Sequence, residues 1–346
     1  MKEIKITMLH PACCDIGSTI RYLQIEDLQK DFDFVWDETS PDYVIASEHV
    51  FTNRRINYKF KQLSKKTNVR IFHGGEAVSP DFNIFDYAVG FDAKLDYLDR
   101  FSQLPPPDVF FEGFVKNKSN QVKSVEEAKK VLSQKTGFCN FLYSNRNANP
   151  RRDEIFYALS NYKKVDSLGR WLNNVGKLGT GYVGHASDCI AIKNPYKFSI
   201  ASENARYFGY ISEKILTSLE AHTVPIYWGD PLIEESINPK AFINCNSIND
   251  LDELIERVKR IDEDDELWCE MVSQPWQNKE QELLWRERNE KYLNFFRHIF
   301  NQPLSEALRR PDGTWNYNYH SSFWDNITPK TKKMNIIDKI YKRIKS

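Results

Sequence analysis

Short apolar runs alternate with polar stretches that repeat apolar residues every three or four positions along most of this chain. Ile4 to Leu9, Asp33 to Trp36, Tyr43 to Ala46, Val69 to Phe72 and Tyr87 to Gly90 read as buried strands. Between them, Ser18 would cap a helix reaching about Lys30, and Ile56 to Lys65 reads as a polar helix. Strand and helix taking turns in this way predict a parallel sheet with helices on both faces. Pro105, Pro106 and Pro107 mark a rigid bend, and the Lys-rich stretch from Phe114 to Gln134, with a helix over Val125 to Ser133, reads as a linker.

The alternation then resumes with strands at Phe138 to Tyr143, Tyr196 to Ala201, Thr223 to Trp228 and Ala241 to Cys245. Ile211, Ile215, Leu219 and His222 fall at helical spacing, with Leu216 widening the apolar face. Ser212 is placed to cap that helix, and Glu213 suits its positive end. Leu251 to Ile261 and Glu280 to Phe300 predict two further helices, the longer one of a kind that crosses back to a first domain. The expected fold class is α/β with two Rossmann-like domains, 1–135 and 136–300, followed by an aromatic segment and basic tail, 301–346.

A length of 346 residues agrees with two domains, each able to bury its own core. Hydrophobic content of 41% and charged content of 28% describe a globular chain, and zero net charge gives no field for nucleic acid. The six cysteines show no metal-ligand spacing and read as structural thiols of a reducing compartment. The opening MKEIKITMLH lacks an apolar signal region, and no window approaches a membrane span, so a cytoplasmic location is expected. Residues 330–346 carry seven Lys/Arg against one Asp, with Ile336, Ile337, Ile340, Tyr341 and Ile344 on one helical face. That pattern predicts peripheral contact with anionic lipid on the inner face of the membrane.

Candidate chemistry gathers at the carboxyl ends of predicted strands, where open α/β sheets bind ligands. The turn His73-Gly74-Gly75-Glu76 presents a carboxylate at such an edge. Arg151 and Arg152 open a helix, where cations are locally unfavourable unless a bound polyanion offsets the cost. The loop after Tyr196 to Ala201 concentrates Glu203, Asn204, Tyr210, Glu213 and Lys214.

The stretch YKFSIASENARYFGYISEKILTSLEAHTVPIYWGDP, residues 196–231, resembles the donor-binding signature of glycosyltransferase family 10, the α-1,3/1,4-fucosyltransferases. GGEAVSPDFNIFDYAVGFD, residues 74–92, resembles the acceptor-side motif of the same family, and VDSLGRWLNN, residues 165–174, another of its segments. The resemblance implies a GT-B fold, two Rossmann-like domains facing across a cleft. It also implies inverting transfer of L-fucose from GDP-β-L-fucose to an oligosaccharide acceptor, on the 3-OH of GlcNAc in N-acetyllactosamine-type, Lewis-type glycans. By motif position Glu76 would be the catalytic base. Arg152, with Arg151 a near alternative, and Lys214 would meet the diphosphate. Glu213 would bind the ribose, Asn204 and Tyr210 the phosphate or sugar, and Glu203 is a further candidate.

The chain departs from the pattern at Ala77, where bacterial members often have Asn, and at Ser202, Ala205 and Ser212, where Phe, Ser or Thr, and Thr are usual. Ser212 keeps the hydroxyl, while Ser202 removes an aromatic ring and bears on how the sugar is packed. No DxD motif stands at a sheet end of the donor block, so no metal is expected to be obligatory, a divalent cation at most stimulating. Two other readings fit the same residues: a GT-B transferase using another nucleotide sugar, and a non-catalytic nucleotide- or glycan-binding module.

Overall fold

A computed structural model describes residues 1–65, 67–111, 121–176, 186–248 and 250–311, with 313 and 319. Packing divides the chain into two compact units. One holds Met1–Gly75, Pro80–Val89 and the described residues from Arg297 onward; the other holds Glu76–Ser79 and Gly90–Phe296.

The first sheet is built from β1 (Lys2–Leu9), β2 (Phe32–Trp36), β3 (Tyr43–Ser47), β4 (Val69–His73), β5 (Tyr87–Gly90) and the short β6 (Phe101–Gln103), in the order β2-β1-β3-β4-β5-β6. The pairings from β2 through β5 are parallel. Every residue of β3 and β4 is buried, as expected of central strands covered on both faces. Arg70 is tolerated there because its guanidinium donates to the Lys65 carbonyl at 3.2 Å and the Ile84 carbonyl at 3.4 Å, while its backbone N–H donates to the fully buried Asp86 at 2.7 Å. Asp86 also pairs with the Arg310 guanidinium and accepts the N–H groups of Arg309 and Arg310, fastening the C-terminal stretch to this unit.

The second sheet contains β7 (Gly137–Phe141), β8 (Val165–Ser167), β9 (Tyr196–Ser202), β10 (Val224–Trp228) and β11 (Ile243–Asn244), in the order β11-β10-β9-β7-β8, also parallel. Its core joins Phe141, Phe198, Ile200, Val224 and Ile226 to Leu254, Val258 and Trp268 of the covering helices. Numbered in chain order within each sheet, the first five strands of one and all five of the other share the arrangement 2-1-3-4-5. In that arrangement the direction of winding reverses between the first and third strands, and loops leaving those strands part to open a crevice. The crevice falls between β1 and β3 in one unit and between β7 and β9 in the other.

Several expected boundaries move. The first helix runs Ile16–Leu23 and is capped by Asp15 rather than Ser18, with a separate 3-10 turn at Glu26–Lys30. The helix expected over Ile56 to Lys65 begins at Arg54, because the Asn53 side chain accepts from the N–H groups of Arg55 and Ile56. The strand expected over Ala241 to Cys245 shrinks to Ile243–Asn244, since a 3-10 turn occupies Pro239–Ala241. The expected linker contributes Val122 and Ala128 to the second core, the latter from the helix Val125–Leu132. By packing, the chain from Gly90 to Phe296, this stretch included, belongs to the second unit. The long helix Lys279–Asn301 starts in the second unit and ends in the first, where the Phe300 ring lies edge-on to Tyr43 at 5.0 Å. The basic tail, 330–346, lies outside the described residues.

Candidate active site

The site begins where β7 and β9 release their loops. The Asn149 N–H donates to the Asn204 carbonyl at 2.8 Å, tying the two loops together at the switch point. Tyr143, just beyond β7, reaches across with its hydroxyl 3.0 Å from the Ile200 carbonyl and 2.9 Å from that of Ser202, which keeps both loop origins in register. Below them the helix Arg151–Tyr162 starts without a side-chain cap.

The two arginines of that helix take different paths. Arg151 turns to the Ile248 carbonyl at 2.8 Å and to Glu154 at 3.2 Å. Arg152 is fully buried, its guanidinium 4.7 Å from the Tyr143 ring centroid, its Nε on Asp153 at 3.1 Å and its Nη2 on the Asn145 carbonyl at 2.9 Å. Its Nη1 has no hydrogen-bond partner. An unpaired buried N–H group costs about 1–3 kcal/mol, a cost that an anion's oxygen would remove.

Beyond β9 the acidic loop folds back on the next helix. Glu203 is fully buried. Its Oε1 accepts the Ser212 N–H at 2.8 Å and its Oε2 the Ser212 hydroxyl at 2.6 Å. The Lys214 Nζ stands 3.3 Å from Glu203 and 3.3 Å from Glu213, and donates to the Ser212 hydroxyl at 2.8 Å. Burial alone would push the lysine down, but the two carboxylates outweigh it and hold Lys214 well above its ordinary range, firmly cationic. Glu213 is lowered because Lys214 and the helix N-terminus overcome the burial that raises it; Glu203, deeper and shared, is raised by burial. Ser212 occupies the N-cap position of the helix Glu213–Glu220 as expected, yet its side chain makes no capping bond, because its hydroxyl serves Glu203 instead.

The base candidate joins this loop from the other motif. The Tyr210 hydroxyl donates to Glu76 Oε2 at 2.7 Å, and the Phe91 ring stands edge-on to Tyr210 at 4.8 Å. The Tyr210 phenol is raised far beyond the usual range by burial first; Lys214 opposes this, while Glu203 and Glu76 add to it. Its proton is therefore kept and donated. Three residues earlier, Tyr207 donates to Asp92 at 2.7 Å and lies 2.7 Å from the Ser79 hydroxyl, so the short segment Glu76–Ser79 is held at both ends.

Of the residues expected from sequence, Lys214 touches both Glu203 and Glu213, and Tyr210 meets Glu76. Asn204 shares the switch point with the loop that leads to Arg152. Arg151 is engaged elsewhere, and Glu203 is an internal anchor, closed to solvent. Sequence reasoning passed over Ser212 as an anchor, Tyr143, Tyr207 and Lys193. Lys193 is buried and donates to the Lys214 carbonyl at 3.2 Å, the Thr217 hydroxyl at 2.8 Å and the Ser218 hydroxyl at 3.0 Å. Only the position of Lys193 near the end of an apolar-rich stretch hinted that it was internal. An arrangement of one base-like carboxylate, a charged lysine and an under-satisfied arginine suits transfer from a donor whose leaving group gathers negative charge.

The family model "Glycosyltransferase family 10 (fucosyltransferase) C-term" matches residues 132–299, and the "Alpha-(1,3)-fucosyltransferase FucT N-terminal domain" matches residues 13–110. The chain is similar to the α-(1,3)-fucosyltransferase FucT of Helicobacter pylori, 30% identical over 228 residues, covering 58% of this chain and 45% of that protein. It is also similar to human GDP-fucose protein O-fucosyltransferase 3, 28% identical over 254 residues, covering 72% of this chain and 47% of that protein. The chain thus spans less than half the length of these two relatives. Among solved structures, a crystal structure of an α1,3-fucosyltransferase superimposes with a TM-score of 0.67 at 24% identity, covering 90% of this chain and 93% of that one. That likeness shows the fold, GT-B.

Proposed function

The chain belongs to glycosyltransferase family 10, the fucosyltransferases, and from that premise we propose that it transfers L-fucose from GDP-β-L-fucose to an oligosaccharide acceptor with inversion. The observation that carries the reading is the bond from Tyr210 to Glu76, which couples the donor-side signature to the acceptor-side carboxylate. In the reaction, the acceptor oxygen attacks the anomeric carbon of fucose as its proton passes to Glu76. The bond from that carbon to the β-phosphate oxygen breaks, and GDP leaves with the electron pair. Lys214, and Arg152 through its unpaired Nη1, would stabilise the charge gathering on the diphosphate. Glu213, its side chain 28% exposed at the head of its helix, would accept from the ribose hydroxyls. Asn204 and Tyr210 would line the sugar and phosphate.

For the acceptor we propose the 3-OH of GlcNAc in N-acetyllactosamine-type, Lewis-type glycans. Relatives named for α-(1,3)-, α-(1,4)- and protein O-fucosylation make 4-OH glycans and proteins the arms to compare. No metal is proposed as obligatory. Peripheral contact of residues 330–346 with anionic lipid, at the inner face of the membrane, stays part of the proposal and is tested by flotation with phosphatidylserine vesicles.

The deciding experiment measures GDP release from GDP-fucose in EDTA, with and without N-acetyllactosamine, for wild type and Glu76→Gln. Acceptor-dependent release that disappears in the variant while GDP binding persists supports an inverting fucosyltransferase with Glu76 as base. GDP binding without release for any acceptor overturns it in favour of a binding module. Release from other nucleotide sugars but not from GDP-fucose points to a different donor.

A further inference from the structure

The donor candidates gather at the switch point of the second sheet, between the loops that leave β7 and β9. The first sheet has the same strand order, and its own switch point lies between β1 and β3. What stands there takes no part in the chemistry described above. His10 follows directly on β1, Glu48 and His49 follow β3, and Tyr22 leans in from the helix Ile16–Leu23. The His10 and Tyr22 rings lie 4.1 Å apart at an interplanar angle of 32°, and the His49 ring meets His10 edge-on at 4.8 Å.

We propose that this crevice is a sugar-binding subsite, in which His10, Tyr22, Glu48 and His49 hold a neutral hexose unit of the acceptor. The inference rests on the transferase reading given above and adds residues to it. Three features set the ligand class. The His10 Nδ1 accepts the Ala12 N–H at 3.1 Å, which leaves the ring proton on Nε2 as a hydrogen-bond donor. Burial, then the neighbouring His49, lowers His10 to about 4, so that donor is uncharged at neutral pH. Glu48 supplies carboxylate oxygens that suit sugar hydroxyls and repel a phosphate.

The site is open enough to bind and built firmly enough to orient. The His49 side chain is 35% exposed and that of Glu48 14%. His49 Nδ1 lies 3.2 Å from the Ser47 hydroxyl and 3.6 Å from Glu48. Glu48 Oε2 also accepts the Gly75 N–H at 3.0 Å, so the residue that meets the sugar grips the backbone one position before Glu76. A metal is the other ligand that imidazoles and carboxylates suggest, but among the described residues no three His, Cys, Asp or Glu side chains converge on one point.

The test uses the full chain, N-acetyllactosamine as probe, and the separate variants His49→Ala and Glu48→Gln. The acceptor KM is expected to rise about tenfold in each, the loss of about one hydrogen bond to a charged or well-placed group, while GDP affinity stays at the wild-type value and reports an intact fold. In the wild type, the imidazole C–H resonances of His10 and His49 should shift on titration with N-acetyllactosamine, a readout that needs no substitution. Wild-type acceptor KM in both variants, or imidazole resonances that do not move, overturns the subsite even if fucose transfer is found. Shifted imidazoles and sugar binding without any fucose transfer would instead sustain the subsite and remove the catalytic reading.

Discussion

The Tyr210 hydroxyl donates to Glu76 Oε2 across 2.7 Å, joining two residues 134 positions apart in the chain. Tyr210 is buried against Phe91 and keeps its proton, so the bond fixes the direction in which the Glu76 carboxylate points. Removing only the hydroxyl leaves the ring packing in place and lets the carboxylate swing. Tyr210→Phe is expected to lower kcat about tenfold, the worth of one hydrogen bond to a charged group. Steady-state rates beside GDP titration calorimetry check this, and an unchanged kcat would remove the orienting role.

Ser212 separates two physical roles that sequence merges. Asp is among the best N-cap residues, so a capping Ser would accept Ser212→Asp without loss. Here the hydroxyl instead donates to the buried Glu203 at 2.6 Å. A second carboxylate at that place meets the first in low dielectric. Ser212→Asp should therefore destabilise the protein by about 2 kcal/mol or more, while Ser212→Thr, which keeps the donor, stays near wild type. Urea denaturation of the two variants decides between the roles.

Gly209 precedes Tyr210 with φ +80, a conformation that costs an L side chain energy, and a Cβ there would lie 2.2 Å from the Phe91 carbonyl oxygen. Backbone stands on the other side, so the strain cannot be relieved by a rotamer change. Gly209→Ala is expected to cost about 2 kcal/mol or more and to push Tyr210 away from Glu76. Activity should then fall further than the unfolded fraction explains. Thermal melts and rates measured on the same samples make the comparison.

The strands and the site's location were legible in sequence because both depend on local pattern. β3 and β10 are almost wholly apolar, β4 and β9 are apolar runs broken by Arg70 in one and by Lys197 and Ser199 in the other, and the acidic loop follows the end of β9 directly. What was not legible depends on residues that meet only after folding. Asp15 and Ser18 form a reciprocal capping box, each side chain accepting from the other's backbone, so either could be read as the cap and the helix start was misplaced. Glu203 looked like a ligand contact because it adjoins Asn204, but the nearby Ser212 and Lys214 turn it inward. Segment 90–93 lies against Gly209, with the Ala93 N–H bonded to the Phe208 carbonyl, and no composition change marks that contact.

Lys193 gives a prediction about pH. Burial lowers it from the ordinary lysine value of 10.5 to about 8. Between about pH 8 and pH 10.5 the unfolded chain therefore holds a proton on this lysine that the folded chain has released. Stability rises with pH wherever the unfolded state binds more protons, so the cost of keeping this buried charge is full below pH 8 and is relieved across that window. Lys193→Met removes the titrating group while filling similar space. Relative to that variant, the wild type should gain stability steadily from about pH 8 to pH 10.5, other groups cancelling in the comparison. Urea midpoints at several pH values on both proteins measure the difference, and parallel curves would refute it. The same lysine donates to the Lys214 carbonyl and to Thr217 and Ser218, so its charge bears on the first turn of the donor-side helix. As the proton leaves, one of three donors is lost, and the loosened turn carries Lys214 with it. Donor KM should accordingly rise over the window in which the global fold becomes more stable, an opposition that a simple loss of structure cannot produce.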